Sequence, residues 1–251
     1  MDPITSALTL LAGWLIGATG IGGVLVVPVL GALEGVDLPR AIAASALAFA
    51  LPGAVALWRL RGHAEGLRTT SAASPLPVAS LVWGAVPGSL LGAALVHQVD
   101  KAWLLAGLAT LALASGLRGL RPQGAAQGVV RPLARRQAGV LGALVGLGSG
   151  LSGTGGPVLL VPLLMALRQP LPATVAAAQA IQLPVALSAG AMHAWSGALD
   201  LPLALQLGAW LLLGSMAGQW AARRIAVSQL QRLVSLLLVA TGLWLGWRLL
   251  F

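Results

Sequence analysis

Long apolar runs separated by short polar breaks dominate the chain. An α-helix needs about 20 mostly apolar residues to cross a bilayer, and eight runs are near or above that length. They cover residues 4–33, 41–58, 75–98, 102–117, 138–167, 173–195, 201–222 and 230–251. The pattern predicts an all-α integral membrane protein, since the alternating strands of about ten residues that typify a β-barrel are absent from the sequence.

The composition agrees with a membrane protein. Only 8% of the 251 residues are charged and the mean hydropathy is +0.91, whereas a soluble domain is about a quarter charged. The basic residues behind the net charge of +9 are spread over short loops. This distribution is typical of residues that set the orientation of a protein in the membrane, and it does not indicate nucleic-acid binding. The absence of cysteine excludes disulfides and thiol chemistry. The N-terminus lacks a basic region, so we expect the first run to be mature protein and not a cleaved signal.

The two halves of the chain carry the same glycine pattern. Each glycine of a first cluster has a counterpart 133 residues later. The first cluster is Gly13, Gly17, Gly20, Gly22 and Gly23, and the second is Gly146, Gly150, Gly153, Gly155 and Gly156. Chance glycine richness would not keep one offset over five positions. We therefore predict a first repeat at 1–120, a basic central loop at 121–137 and a second repeat at 138–251.

Both glycine clusters lie inside runs that are about 30 residues long. Adjacent glycines in mid-membrane weaken a helix, so each run is predicted to break there. Pro157 directly follows the second cluster and suits the first position of a new helix. Pro28 and Pro162 are the alternative starting points for the second half-helices, and each would free a carbonyl one turn earlier, at Val24 and Val158.

The positions of the basic residues favour re-entrant hairpins over crossings for the two broken runs. If all eight runs cross, the 15 basic residues divide nine against six between the two sides. If runs 4–33 and 138–167 turn back, they divide twelve against three, which matches the cytoplasmic bias of lysine and arginine. We therefore predict an inverted repeat with both termini outside, a common design of secondary transporters.

Half-helices that begin at mid-membrane suit an anion, because their N–H groups and dipoles point at the break. Hydroxyls near the breaks add donors. The candidate substrate-binding residues are Thr19, Gly20, Gly22, Gly23, Pro28, Ser45, Ser152, Gly153, Thr154, Gly155, Gly156, Pro157, Gln179 and Gln182.

Two of the polar candidates keep a second interpretation. Gln179 and Gln182 share a helix face, and they fit an interhelical hydrogen bond as well as a substrate contact. His193 and His97 are the titratable candidates near run ends, with His193 the candidate for proton linkage. For both, a structural histidine at the membrane interface is the favoured alternative. Every Asp and Glu lies at a run end or in a loop, which argues against a carboxylate proton relay.

The sequence predicts no enzyme, no metal site and no cofactor. It contains no HExxH, GxSxG or Walker A motif. The glycine clusters do not follow a strand, which rules out a dinucleotide-binding loop.

The motifs GATGIGGVLVVPVL at 17–30 and GLSGTGGPVLLVPLL at 150–164 resemble the sulfite exporter TauE/SafE family, also called the four-toluene-sulfonate uptake permease family. The resemblance extends over essentially the whole chain. It implies outward transport of sulfite, sulfonates and related organic anions, and a central site formed by the glycines and prolines of the two motifs, including Pro162. The family often has a Thr-Ser pair early in the second helix of each half, where this chain has Ala43-Ala44-Ser45 and Ala177-Ala178-Gln179.

The function expected from this resemblance is secondary export of small sulfur-containing anions such as sulfite, sulfoacetate or other organosulfonates. The alternatives are a passive anion channel and a non-transporting membrane assembly subunit. The expected partners are the anionic substrate and the lipid bilayer of a bacterial inner membrane, crossed several times. A coupling ion, either proton or sodium, and a homodimer stay open.

Overall fold

The computed structural model describes residues 1–20, 22–62, 76–96, 98–120, 132–167, 169–222, 224 and 226–250. All the regular secondary structure in these residues is helical. The α-helices, in chain order from α1 to α11, are Pro3–Thr19, Val26–Leu33, Leu38–Ala48, Ala50–Gly62, Val78–Leu95, Lys101–Leu120, Arg135–Ser152, Pro157–Ala166, Leu171–Trp195, Leu201–Ala222 and Val227–Leu250. A short 3₁₀ helix at Gly23–Leu25 precedes α2.

Four helical stretches in the described residues are long and apolar enough to cross a membrane. They are Leu38–Trp58, Val78–Leu95, Ala173–Trp195 and Leu201–Ala221. Shorter apolar helices occupy Pro3–Thr19, Gly23–Leu33 and Ser235–Trp247. Exposed tryptophans lie near the helix ends, with Trp58 and Trp195 exposed by 74% and 91%, as is usual for side chains at a membrane interface.

The predicted basic central loop is shorter in the structure than the polar residues suggest. Helix α6 ends at Leu120, where the loop is predicted to begin, but Arg135 and Arg136 of the predicted loop form the first turn of α7. Residues 121–131 lie outside the described part of the chain. Charged residues near the water can extend a membrane helix past its apolar core, so the polar stretch overestimates the loop.

The first broken run turns back on itself. The backbone N–H of Asp2, just before α1, donates to Glu34 Oε1 at 2.7 Å, just after α2. A straight helix of this length would separate the two residues by about 48 Å. The segment 3–33 is therefore a hairpin whose two ends lie on the same side of the molecule.

The second broken run also folds back at its break. A Cβ added to Gly148 on α7 would lie 2.7 Å from Leu159 Cδ1 on α8. Along a straight helix these residues would be about 16 Å apart. The chain therefore folds back at the second break as well as at the first.

Each hairpin packs through glycine against a helix from the other half of the chain. Gly13 and Gly17 of α1 lie against the backbone of Leu211 and Ser215 of α10. Gly142 and Gly146 of α7 lie in the same way against Leu81 and Ala85 of α5. Residue numbers rise together within each pair, so the helices of both pairs run parallel.

The last helices of the two halves run in opposite directions. Gly116 of α6 packs against Val239 of α11, whereas Gly242 of α11 packs against Leu113. Residue numbers rise on one helix as they fall on the other, which makes α6 and α11 antiparallel.

The second runs of the two halves also pack in opposite directions. Leu47 of α3 contacts Gly190 of α9, and Gly53 of α4 contacts Leu183 of α9. These helices are also antiparallel, and they form the centre of the bundle, where Ala43, Ala44, Ala177 and Ala178 are fully buried.

Candidate functional site

Both glycine clusters end a helix, as the sequence predicts. Helix α1 ends at Thr19 and is followed by Gly20 with φ 76°, whose N–H donates to the Ile16 carbonyl at 2.7 Å. Helix α7 ends at Ser152 and is followed by Gly153 with φ 65°. Positive φ is the left-handed conformation that glycine adopts without steric cost, and it is the usual way to end a helix.

The second break continues in the left-handed conformation. Gly155 and Gly156 have φ of 80° and 84°, and α8 then begins at Pro157. The predicted start at Pro157 is confirmed, and Pro162 lies inside α8. At the first break the backbone passes through the 3₁₀ turn and α2 begins at Val26, two residues before Pro28. The alternative in which Pro28 and Pro162 start the half-helices is therefore wrong.

The two breaks lie against each other. A Cβ on Gly23 would overlap the Thr154 carbonyl oxygen, so the chain of the first break touches that of the second without an intervening side chain. The ring of Phe49, 1% exposed, lies beside both breaks. A Cβ on Gly155 would come within 2.7 Å of this ring, and one on Gly23 within 2.8 Å.

Ser45 connects the second run of the first half to the second break. Its hydroxyl lies 3.0 Å from the Ile42 carbonyl oxygen and 3.0 Å from the Gly153 carbonyl oxygen. A hydroxyl has one proton, so the two carbonyls share it. Ser45 is fully buried, and it holds the backbone just after α7 against α3.

The other predicted hydroxyls lie at the helix ends. Ser152 and Thr154 pair through their side-chain oxygens at 2.8 Å. Thr19 donates to the Leu15 carbonyl at 2.7 Å, one turn earlier in α1. All three residues are buried, so the break regions hold their polar groups away from lipid.

With this geometry in place, comparison with protein families identifies the chain. A family model described as sulfite exporter TauE/SafE matches residues 6–245. The chain belongs to this family. Curated proteins and solved structures give no match.

Membership of the TauE/SafE family makes the chain a multi-pass membrane transporter, and the family implies export of sulfite or related anions. This confirms the resemblance based on the paired glycine motifs, whose residues fall within the matched range. The family is one of membrane transporters.

The two glutamines differ in their surroundings. The Gln182 amide nitrogen donates to the Phe49 carbonyl at 3.4 Å, and Gln182 is 1% exposed. Phe49 separates α3 from α4, so this long hydrogen bond connects the junction of these two helices to α9. Gln179 is only half-buried on the same helix. Of the two interpretations of the glutamines, an interhelical hydrogen bond or a substrate contact, the structure shows the interhelical hydrogen bond for Gln182.

His193 lies away from the two breaks. It is fully buried in the last turn of α9, about 16 Å along the helix axis from Gln182. It does not join the cluster around Gly155. His97 lies outside the described residues.

Ser149 is a buried hydroxyl that the sequence analysis missed. It lies one turn before the end of α7 and is 1% exposed. Its hydroxyl oxygen has no hydrogen-bond partner among the described residues. The repeat could not reveal it, because the residue 133 positions earlier is the apolar Ile16.

Proposed function

We propose that this TauE/SafE family protein is a secondary exporter of small sulfur-containing anions, such as sulfite, sulfoacetate or other organosulfonates. We place it in the inner membrane of a bacterial cell. Family membership supports the class of protein and of cargo. The described site supports the mode of binding, because it offers backbone N–H groups and hydroxyls of the kind that bind anions.

The proposed architecture is an inverted repeat of two halves, each with one re-entrant hairpin and three crossings. Opposite directions of α6 and α11, which are the last helices of the two halves, support it. If all eight runs crossed, the two halves would have the same orientation and these helices would run parallel. The contact between Asp2 and Glu34 supports re-entry of the first run.

The observation that carries the proposal is the contact between Gly23 and the Thr154 carbonyl, where the two breaks meet. In transporters built from inverted repeats, discontinuous helices form the substrate site at the interface between the repeats. Here that interface is closed by backbone packed on backbone and by the Phe49 ring. We infer that transport requires one hairpin to move against the other, so that the site opens to one side at a time.

Sulfite flux in proteoliposomes tests the proposal, with Gly23→Ala as the site variant. Gly23 does not have positive φ, so alanine changes only the contact between the breaks. Overpacking costs about 1–3 kcal/mol, which corresponds to about fivefold to more than a hundredfold in the population of the closed arrangement. Gly107→Ala on α6 is the matched control, because a Cβ there has nothing within 4 Å.

We expect saturable sulfite flux with counterflow in the wild type and in Gly107→Ala, and a loss of about fivefold or more in folded Gly23→Ala. Flux without saturation or counterflow would indicate a channel. An absence of flux for sulfite, sulfoacetate and other organosulfonates would contradict the proposed cargo. Equal flux in Gly23→Ala and Gly107→Ala would show that transport does not depend on the contact between the breaks.

A further inference from the structure

The hydroxyl of Ser149 faces the start of α8. It lies 3.8 Å from the position that a Cβ on Gly156 would occupy. The two atoms nearest to that position belong to Ile181, whose Cδ1 and Cγ1 lie 3.3 and 3.6 Å away. The nearest neighbours of a side chain at Gly156 would thus be one hydroxyl and the flexible end of one aliphatic side chain.

The start of α8 leaves a backbone donor next to this space. Pro157 has no N–H, and the N–H groups of Leu159 and Leu160 already donate to the Gly156 carbonyl at 3.1 and 3.0 Å. Val158 supplies the remaining N–H of the first turn, and it has no acceptor within the helix. The helix dipole adds partial positive charge at the same point.

A buried hydroxyl without a partner is costly, because it has lost its hydrogen bonds to water and gained none. Native proteins satisfy most such groups, and an exception calls for an explanation such as an unseen ligand. An anion at the start of α8 would accept hydrogen bonds from both Ser149 and Val158.

The first break does not offer the same chemistry. Ile16 stands at the position of the first repeat that corresponds to Ser149. The crevice beside Gly22 is bounded by Leu15, Val24, Leu25, Leu237 and Leu238, together with Thr241. The Thr241 hydroxyl already donates to the Leu237 carbonyl at 2.8 Å.

We propose that Ser149 is a substrate-binding residue and that the exported anion binds at the second break, between the Ser149 hydroxyl and the start of α8. The inference rests on the proposed exporter function and makes the two halves unequal. The first break closes the site, whereas the second break binds the anion. An oxygen atom of the anion takes the place of the Ile181 methyl beside Gly156.

The test compares Ser149→Ala with Ser215→Ala in purified full-length protein. Ser215 is also 1% exposed, but its hydroxyl donates to the Leu212 carbonyl at 3.1 Å, in α10. Sulfite binding is measured by the rise in Tm with sulfite concentration, and Tm is also measured without ligand. Sulfite flux through proteoliposomes gives KM for the same variants.

We expect Ser149→Ala to weaken sulfite binding by about tenfold or more, since a hydrogen bond to a charged group is lost. Its Tm without sulfite should be unchanged or higher, because an unsatisfied hydroxyl is removed. Ser149→Thr keeps the hydroxyl and should retain most of the affinity. Ser215→Ala should show the opposite pattern, with a lower Tm and unchanged affinity.

Unchanged sulfite affinity in Ser149→Ala, with wild-type flux, would overturn the role of Ser149 and leave the exporter proposal standing. A lower Tm in Ser149→Ala at unchanged affinity would assign Ser149 a structural role instead. A wild-type protein with neither a sulfite-dependent Tm nor sulfite flux would overturn the exporter proposal and this inference together.

Discussion

The glycines at the breaks are required for two different physical reasons. Gly155 and Gly156 have positive φ, so any side chain there strains the backbone. Gly22 has an extended φ of 178° that any residue adopts, and its Cβ would instead lie 2.5 Å from the Ala12 carbonyl oxygen. The sequence predicts that glycine matters at these positions, but the reason depends on backbone angles and neighbours that only the structure shows.

Glu34 is the residue for which the structure predicts a pH dependence. The backbone N–H of Asp2 donates to its carboxylate and lowers the pKa of Glu34 below its usual value of 4.5. A carboxyl group with a lowered pKa in the folded state stabilises the fold above the unfolded pKa, and this contribution is lost as pH falls through the folded pKa. The closed ends of the first hairpin should therefore loosen in acid.

We expect wild-type Tm to fall more steeply than that of Glu34→Gln as pH is lowered from about 6 to about 3, because the variant has no charge to lose there. Thermal unfolding in detergent across this range measures the difference. Parallel Tm curves for the two proteins would show that the contact between Asp2 and Glu34 does not stabilise the hairpin.

Helices α1, α5, α7 and α10 pair through glycine because the lipid supplies no hydrophobic force to bring helices together. Close backbone packing takes its place, and small residues permit that packing. Gly88 and Gly92 of α5 face the Ala143 and Leu147 carbonyls of α7 in this way. A larger side chain at such a position separates the helices.

Two glycines of α7 provide a matched pair for this effect. A Cβ on Gly146 would overlap the Ala85 carbonyl oxygen, whereas one on Gly139 would lie 3.8 Å from its nearest neighbour, the Ser80 carbonyl oxygen. We expect Gly146→Ala to destabilise the protein by about 1–3 kcal/mol. Gly139→Ala should be neutral or stabilising by about 0.5–1 kcal/mol, because alanine favours a helix. Equal unfolding free energies for the two variants would contradict the packing of α7 on α5.

The helix positions were largely predictable, because lipid requires apolar length and both glycine and proline interrupt it. The interruption of the second run at Phe49 was not predicted. The structure ends α3 at Ala48 and begins α4 at Ala50, where the sequence analysis expected one run at 41–58. Pro52 was the available signal, since its missing N–H leaves the Ala48 carbonyl without its helical partner. The contacts of Ser45 and Phe49 with the second break were beyond prediction, because they join residues about 100 positions apart that no local pattern relates.

At the scale of the whole molecule, the two halves are interwoven and not side by side. The hairpin of each half packs on the third run of the other half, and the second runs of both meet at the centre. This arrangement brings both breaks to one place and makes each half depend on the other. The division of the basic residues predicted opposed halves, but residue counts could not show which helices pair.

Single-cysteine labelling tests the central claim, that two oppositely oriented halves bring their broken hairpins together. The chain has no cysteine, so each introduced thiol is the only one. Gln98, Ser196 and Ala134 are exposed positions in described loops. A membrane-impermeant maleimide on intact cells should label Gln98→Cys and Ser196→Cys, but not Ala134→Cys until the cells are opened. Labelling of Gln98→Cys without labelling of Ser196→Cys in intact cells would place Ser196 on the side of Ala134, which would show that all eight runs cross and would contradict the inverted hairpins.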